Sequence, residues 1–225
     1  MADVTDRDAK EAQLAKPISR EFNRARFQLL GLVPGLEPWM FDVAPEFWTE
    51  HQANLTAGIS PLLSSFYIAQ AETMLDDFVI FGIDWAQAHQ GAIDWAKDYT
   101  YELVTDLTAT TKRTLQKTIP RFFEEQWTQG QLTEALKPSF SARRAATIAR
   151  TEVTRAASMA ELQVSKYLAE QGIIMKHIWH TRDDEKVCTL CGPLDGKEIG
   201  VEIPFGYPPK HVNCRCFWGQ EIAPL

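Results

Sequence analysis

The sequence predicts a mainly α protein, an elongated helical N-terminal region followed by a small α+β C-terminal module that ends in a Cys/His metal knot. Three observations carry this. Apolar residues recur at helical spacing through long stretches between residues 45 and 171. The period changes to strand-like alternation only after Gly172. All four cysteines lie between Cys188 and Cys216, in a tail too small to build a core of its own. The organisation expected from this is a flexible tail over residues 1–16, a helical region over 17–140 and a C-terminal module over 141–225.

Composition narrows the function classes. Hydrophobic residues make up 45% of the 225-residue chain, with seven Trp and twelve Phe as large anchors, enough to bury a core. A net charge of -7 rules out a chain-wide basic surface, so any DNA contact has to be local. No apolar run reaches membrane-spanning length. The charged start, Met1 to Lys10, lacks the apolar stretch of a secretory signal. Without a signal, the Cys-x-x-Cys spacing reads as reduced metal ligands in a cytosolic protein rather than as disulfides.

Taken in order, residues 1–16 are polar and charged, a mobile tail or frayed helix. Pro17 sits where a helix can begin, and Ser19 to Leu30 reads as a short amphipathic helix. Residues 31–47 hold Pro34, Pro38, Pro45, Gly31 and Gly35, an irregular aromatic-rich arm suited to docking on a partner. Phe47, Trp48 and His51 follow at helical spacing. Pro61 to Gly82 reads as a long helix with Leu62, Leu63, Phe66, Tyr67, Leu75 and Phe78 on its stripe. Ala92 to Ile119 is another, with Trp95, Tyr99, Leu103, Leu107, Thr110 and Leu115 inward. Pro120 opens a further helix that stops near Gly130, and Gln131 to Leu136 adds a turn or two. Ser141 to Gln171 is the clearest helix. Ser139 or Ser141 caps it, Ala145, Ile148, Ala149, Val153, Ala156, Ala157 and Ala160 form a small-residue face, and Gly172 stands past its end. Residues 174–180 then alternate as a strand, and Lys197 to Ile203 is the expected partner strand.

Cys188-x-x-Cys191 places two thiols on one tight turn, and His211-x-x-Cys214-x-Cys216 adds three more ligands. This set suits a tetrahedral ion, zinc first. Five candidates compete for four places. Cys214 and Cys216 point to opposite faces of an extended stretch, so the preferred set is Cys188, Cys191, His211 and Cys214, with Cys216 as the alternative ligand and His177 and His180 in reserve. A closed four-ligand set is structural, with no open position for catalysis.

The order of features resembles the Mu F-like phage head morphogenesis proteins, also called minor head or minor capsid proteins. It runs Arg144-Ala145-x-x-Ile148-Ala149-Arg150-Thr151-Glu152, Arg155, Gly172, Lys176-x-x-Trp179, Val187-Cys188-x-x-Cys191-x-x-Leu194-Asp195-Gly196, and Pro208-Pro209-x-His211-x-Asn213-Cys214-Arg215-Cys216, and covers about residues 90–218. Ser158, where the family pattern has Asn, and Lys210, where a small or apolar residue is usual, depart from it. The resemblance implies a virion protein in few copies, assembled in the host cytoplasm, associated with the portal protein and inner capsid, oligomerising on the portal ring and in possible contact with packaged DNA. It implies no catalytic residue.

Other constellations have plainer readings. Arg150, Glu152 and Arg155 are read as a structural ion pair tying the helix to the C-terminal ribbon, with Glu152 and Arg155 as i,i+3 partners. The competing reading is a zinc-framed nuclease or toxin-like enzyme, drawing on Asp183, Asp184, Asp195, His177, His180 and His211. No Gly-rich phosphate loop and no Glu-x-Glu pair supports it, and Asp195-Gly196 reads as a turn. Lys112, Arg113, Lys117, Arg143, Arg144 and Arg150 could form a local basic stripe for DNA, against the simpler reading of a solvated helix face.

Overall fold

The structure, a computed structural model, describes residues 4–33, 43–78, 85–182, 184–198 and 206–223. Among these the chain forms α1 (Val4–Leu32), α2 (Pro45–Phe78), α3 (Trp85–Glu124), α4 (Gln129–Leu136), α5 (Ala142–Glu170), β1 (Met175–His180) and β2 (Phe217–Ile222). Most of the proline-rich arm and the Gly82 break lie outside the described residues.

The helices are longer than the prolines suggested. Pro17, Pro61 and Pro120 each lie inside a helix rather than at its start. A proline within a helix costs about 3 kcal/mol. The buried stripe nevertheless continues in phase across it, with Leu14, Ile18 and Phe22 around Pro17 and with Leu55, Ile59, Leu63 and Phe66 around Pro61. Each such side chain contributes roughly 1.5–3 kcal/mol on burial, so the stripe outweighs the proline. Residues 4–16, read as a mobile tail or a frayed helix, are the first turns of α1.

Two compact units are assembled from separate pieces of chain: Met1–Glu11, Leu63–Asp94 and Thr147–Leu225 form one, Ala12–Leu62 and Trp95–Ala146 the other. In the second unit the core faces are Leu14, Ile18, Phe22 and Leu29 of α1, Leu55 and Ile59 of α2, Leu115 and Ile119 of α3, and Leu132 and Leu136 of α4. Close approach sets the α1–α2 contact, because a Cβ on Gly58 would lie 2.6 Å from Pro17 Cβ. α3 turns a different face inward from the one its large residues suggested. Ala96, Thr100, Val104, Thr108, Thr111, Leu115 and Ile119 are buried, while Trp95 and Tyr99 are only half-buried and stack at 5.3 Å. Small residues and threonines let neighbouring helices come close.

In the first unit α5 is buried around most of its circumference, polar positions Thr151, Glu152, Thr154, Ser158, Glu161 and Ser165 included. Ser141 caps its start, accepting from Arg144 N at 3.1 Å. Gly172, at φ +82°, ends it, with Ile173 N donating to Leu168 O at 2.9 Å. β1 then buries Met175, His177 and Trp179. Its antiparallel partner in the sheet is β2, with Trp179 opposite Trp218, while the described start of the expected partner also pairs with β1, Lys197 O accepting from Trp179 N at 2.9 Å. Of that stretch Glu198 makes a single bridge to Ile178, and residues 199–203 lie outside the described residues. β2 supplies Trp218 to the core that Trp179 lines, which the charged Lys197-Glu198 pair does not.

Candidate metal centre

Two tight turns bring the sulfurs and the imidazole together. Cys188 O accepts from Cys191 N at 3.2 Å and from Gly192 N at 2.9 Å, so the Cys-x-x-Cys segment folds back on itself. Cys214 N donates to His211 O at 3.1 Å across Asn213, whose φ of +69° Asn tolerates better than most side chains. His211 Nε2 lies 3.0 Å from Cys188 Sγ and 3.3 Å from Cys191 Sγ, and Cys191 Sγ lies 3.9 Å from Cys214 Sγ. His211 Nδ1 sits 2.8 Å from Val212 O, which places the proton on Nδ1 and turns the Nε2 lone pair toward the thiols.

The candidates form two triads that share Cys191: Cys188, Cys191 and His211, and Cys191, Cys214 and Cys216, with ligand atoms in each within 4.8 Å of one another. Ligand atoms of a tetrahedral ion bound through sulfur and nitrogen stand roughly 3.5–3.8 Å apart. The separations from His211 to Cys188 and Cys191 and from Cys191 to Cys214 bracket that spacing. Cys214 falls in the second triad and not the first, so the four preferred ligands do not all lie within 4.8 Å of one another. The donors are the sulfur and imidazole groups such an ion takes. The cluster packs against Trp179, Trp218 and Leu162, so the site is shielded on its inner side.

Electrostatics separate the thiols. A hydrogen bond from Cys216 draws the Cys214 thiol down to about 5, and the same contact, with burial, pushes Cys216 up. Burial pushes Cys191 up to about 12. Burial also acts upward on Cys188, but hydrogen bonds from Cys191 and the Leu190 backbone outweigh it and the net direction is down. For His211 burial acts downward, and the Val212 carbonyl with the neighbouring thiolates outweighs it.

An outer layer holds the second turn. Thr151 Oγ1 accepts from Asn213 N at 2.8 Å, and Arg150 Nη1 donates to Asn213 Oδ1 at 2.7 Å. Thr154 Oγ1 lies 3.0 Å from Cys214 O and accepts from Arg7 Nη2, which also donates to Cys216 O at 3.3 Å. Of the three charges read as one ion pair, Arg155 meets Glu152 at 3.2 Å, and Arg150 meets Glu11 of α1 at 3.0 Å. Arg7 and Glu11 were missed because they sit in a polar stretch, read as a mobile tail or frayed helix, that carries no motif.

The residues of the nuclease reading go to separate structural tasks. His177 lies 2.8 Å from Ser165 Oγ against the Trp218 ring, and burial pushes it down to about 4, a neutral core imidazole. His180 stacks on Phe217 at 5.4 Å. Asp184 pairs with Arg215 at 2.6 Å. Asp195 Oδ1 accepts from Thr181 N at 2.6 Å. Asp183 lies outside the described residues. Among the described residues no group of three metal-capable side chains includes a carboxylate. Much of the basic stripe is also engaged: Arg144 donates to Thr111 and lies over Phe22, Lys112 lies over Trp48, and Arg150 is held as above. No helix of the described residues is long and apolar enough to cross a membrane.

Neither a curated protein nor a solved structure matches the chain. A family model does. The one described as Phage Mu protein F like protein matches residues 98–218, or 121 of the 225 residues, from α3 through the whole Cys/His cluster. With more than half of its length and all five candidate ligands inside that match, the chain belongs to the Phage Mu protein F like family of phage head morphogenesis proteins.

Proposed function

We propose that this protein is a minor head protein of the virion, present in few copies, that acts at the portal vertex during head assembly. In this reading a structural zinc ion is held by Cys188, Cys191, His211 and Cys214. The observation that carries it is the family match, which takes in the site and the helix α5 that supports it. Zinc supplies folding free energy to a small module and no open coordination position. What supports this choice is that His211 lies within hydrogen-bond distance of both Cys188 and Cys191, and Cys191 Sγ lies 3.9 Å from Cys214 Sγ. The proline- and aromatic-rich arm, residues 31–47, would dock on the portal protein or the inner capsid, and repeated copies would follow the symmetry of the portal ring. Contact with packaged DNA would be local, given a net charge of -7.

Quantitative mass spectrometry of purified particles tests the reading. The expected result is a copy number comparable to that of the portal protein and far below that of the major shell protein. Absence from mature particles would overturn the virion assignment.

A further inference from the structure

We infer that the first turns of α1, residues 6–11, form a latch on the metal knot, with Arg7 a positioning residue for the ligand-bearing turn, so that metal occupancy and docking of this segment are coupled. This rests on the zinc reading above. The contacts of the latch fall on the backbone carbonyls of the ligand-bearing turn and on side chains beside it. Arg7 reaches across 209 residues of sequence to Cys216 O at 3.3 Å and across 147 to Thr154 Oγ1, the hydroxyl that lies 3.0 Å from Cys214 O. Glu11 holds Arg150 at 3.0 Å, and Arg150 in turn holds Asn213 Oδ1 at 2.7 Å, between His211 and Cys214. Asp8 adds an ion pair with Arg182 at 2.8 Å, just ahead of the Cys-x-x-Cys turn.

The coupling follows from what each partner loses alone. Arg7 Nε is sealed from solvent and has no hydrogen-bond partner among the described residues, so this guanidinium depends on the acceptors its other nitrogens reach. One of those is the Cys216 carbonyl, and the other is the Thr154 hydroxyl, whose one proton is shared between the Arg150 and Cys214 carbonyls, each 3.0 Å away. An ion gripping Cys214 and His211 holds these acceptors in place. When the ion leaves, the turn relaxes, the acceptors move, and the docked cation loses part of what offsets its burial, the attraction of Glu11 remaining. The relation is reciprocal, so a segment that favours the loaded geometry also raises the affinity for the ion. Groups that orient metal ligands through a second layer typically change affinity by about 10- to 100-fold.

The test uses the full-length protein. Amide hydrogen exchange is followed over residues 6–11, with β1 as an internal reference, in zinc-loaded and chelator-stripped samples. Zinc affinity is measured for the unaltered protein and for Arg7→Ala by competition with a chromophoric chelator. The expected result is that stripping the metal speeds exchange over 6–11 by about tenfold or more while β1 stays protected. Arg7→Ala is expected to weaken zinc binding by about tenfold with β1 still protected. Unchanged exchange over 6–11 in a protein that binds zinc would overturn the latch and leave the zinc reading standing. So would release of 6–11 only together with β1, which marks general unfolding. Failure of the unaltered protein to bind zinc would overturn both.

Discussion

Glu161 shows how much a single side chain on α5 depends on its surroundings. It is buried, with Oε1 accepting from Gln70 at 2.8 Å. Burial pushes its carboxyl from the ordinary 4.5 up to about 8, against the opposing pull of the Arg7 cation. The folded protein therefore keeps a proton at neutral pH that the unfolded chain has released. A raised folded value means that this contribution is whole below about pH 4.5 and is lost as pH rises toward 8. Glu161→Gln is expected to flatten that slope and to raise stability at pH 8 by roughly 1–3 kcal/mol, measured by denaturant unfolding at pH 5 and pH 8. The buried pair of His51 Nδ1 and Glu21, 2.6 Å apart, is the opposite case. There burial acts upward on Glu21, and hydrogen bonds from Arg24 and His51 outweigh it, so its carboxyl lies low. The residues of the Cys/His cluster were legible at this scale because spacing within a turn is a local property. The long-range partners of Glu161 and Glu21 were not, since nothing near either residue in sequence names Gln70 or His51.

Among the elements, the contact of α1 with α2 turns on Gly58. Gly58→Ala places a methyl 2.6 Å from Pro17 Cβ, a contact that forces one helix backbone to move. A loss of about 1–3 kcal/mol is expected in thermal unfolding. Gly91→Ala is the matched control. Nothing lies within 4 Å of its added methyl, and the higher helix propensity of Ala should stabilise by up to about 1 kcal/mol. Helix type and approximate position were readable from periodicity. Helix length was not: Pro61 signals a boundary locally while the buried stripe on both sides carries α2 through, and past Pro120 α3 runs one more turn with Phe122 and Phe123 half-buried. The inward face of α3 was also misread by one position: large aromatics mark an apolar stripe, but close packing selected the Ala and Thr positions beside it.

For the molecule as a whole, the zinc reading predicts an unequal response to losing individual thiols. Cys191 belongs to both triads, and Cys216 to one. Cys191→Ser is expected to abolish stoichiometric zinc and to lower the melting temperature as far as chelation of the unaltered protein does. Cys216→Ser is expected to keep one zinc per chain. Metal analysis beside thermal melting checks both, and zinc binding should weaken toward acid pH as His211 and the thiolates take up protons. Equal melting of loaded and stripped protein would remove the stabilising role. The C-terminal module was legible as a knot with its supporting helix, yet the compact unit around it also draws in residues 1–11 and 63–94. No motif marks that recruitment.

The amino-acid pattern was sufficient for a mainly helical protein with a Cys/His cluster at its end and for its place among Mu F-like head proteins. Each of these is encoded in spacings of a few residues: the helical period, the strand period and the two ligand turns. The pairing of β1 with β2, the passage of helices through their prolines and the arrival of Arg7 at the Cys216 carbonyl came from tertiary packing. Those outcomes depend on which surfaces meet across 40 to more than 200 residues of chain, and there the burial of apolar and charged groups outweighs any local signal.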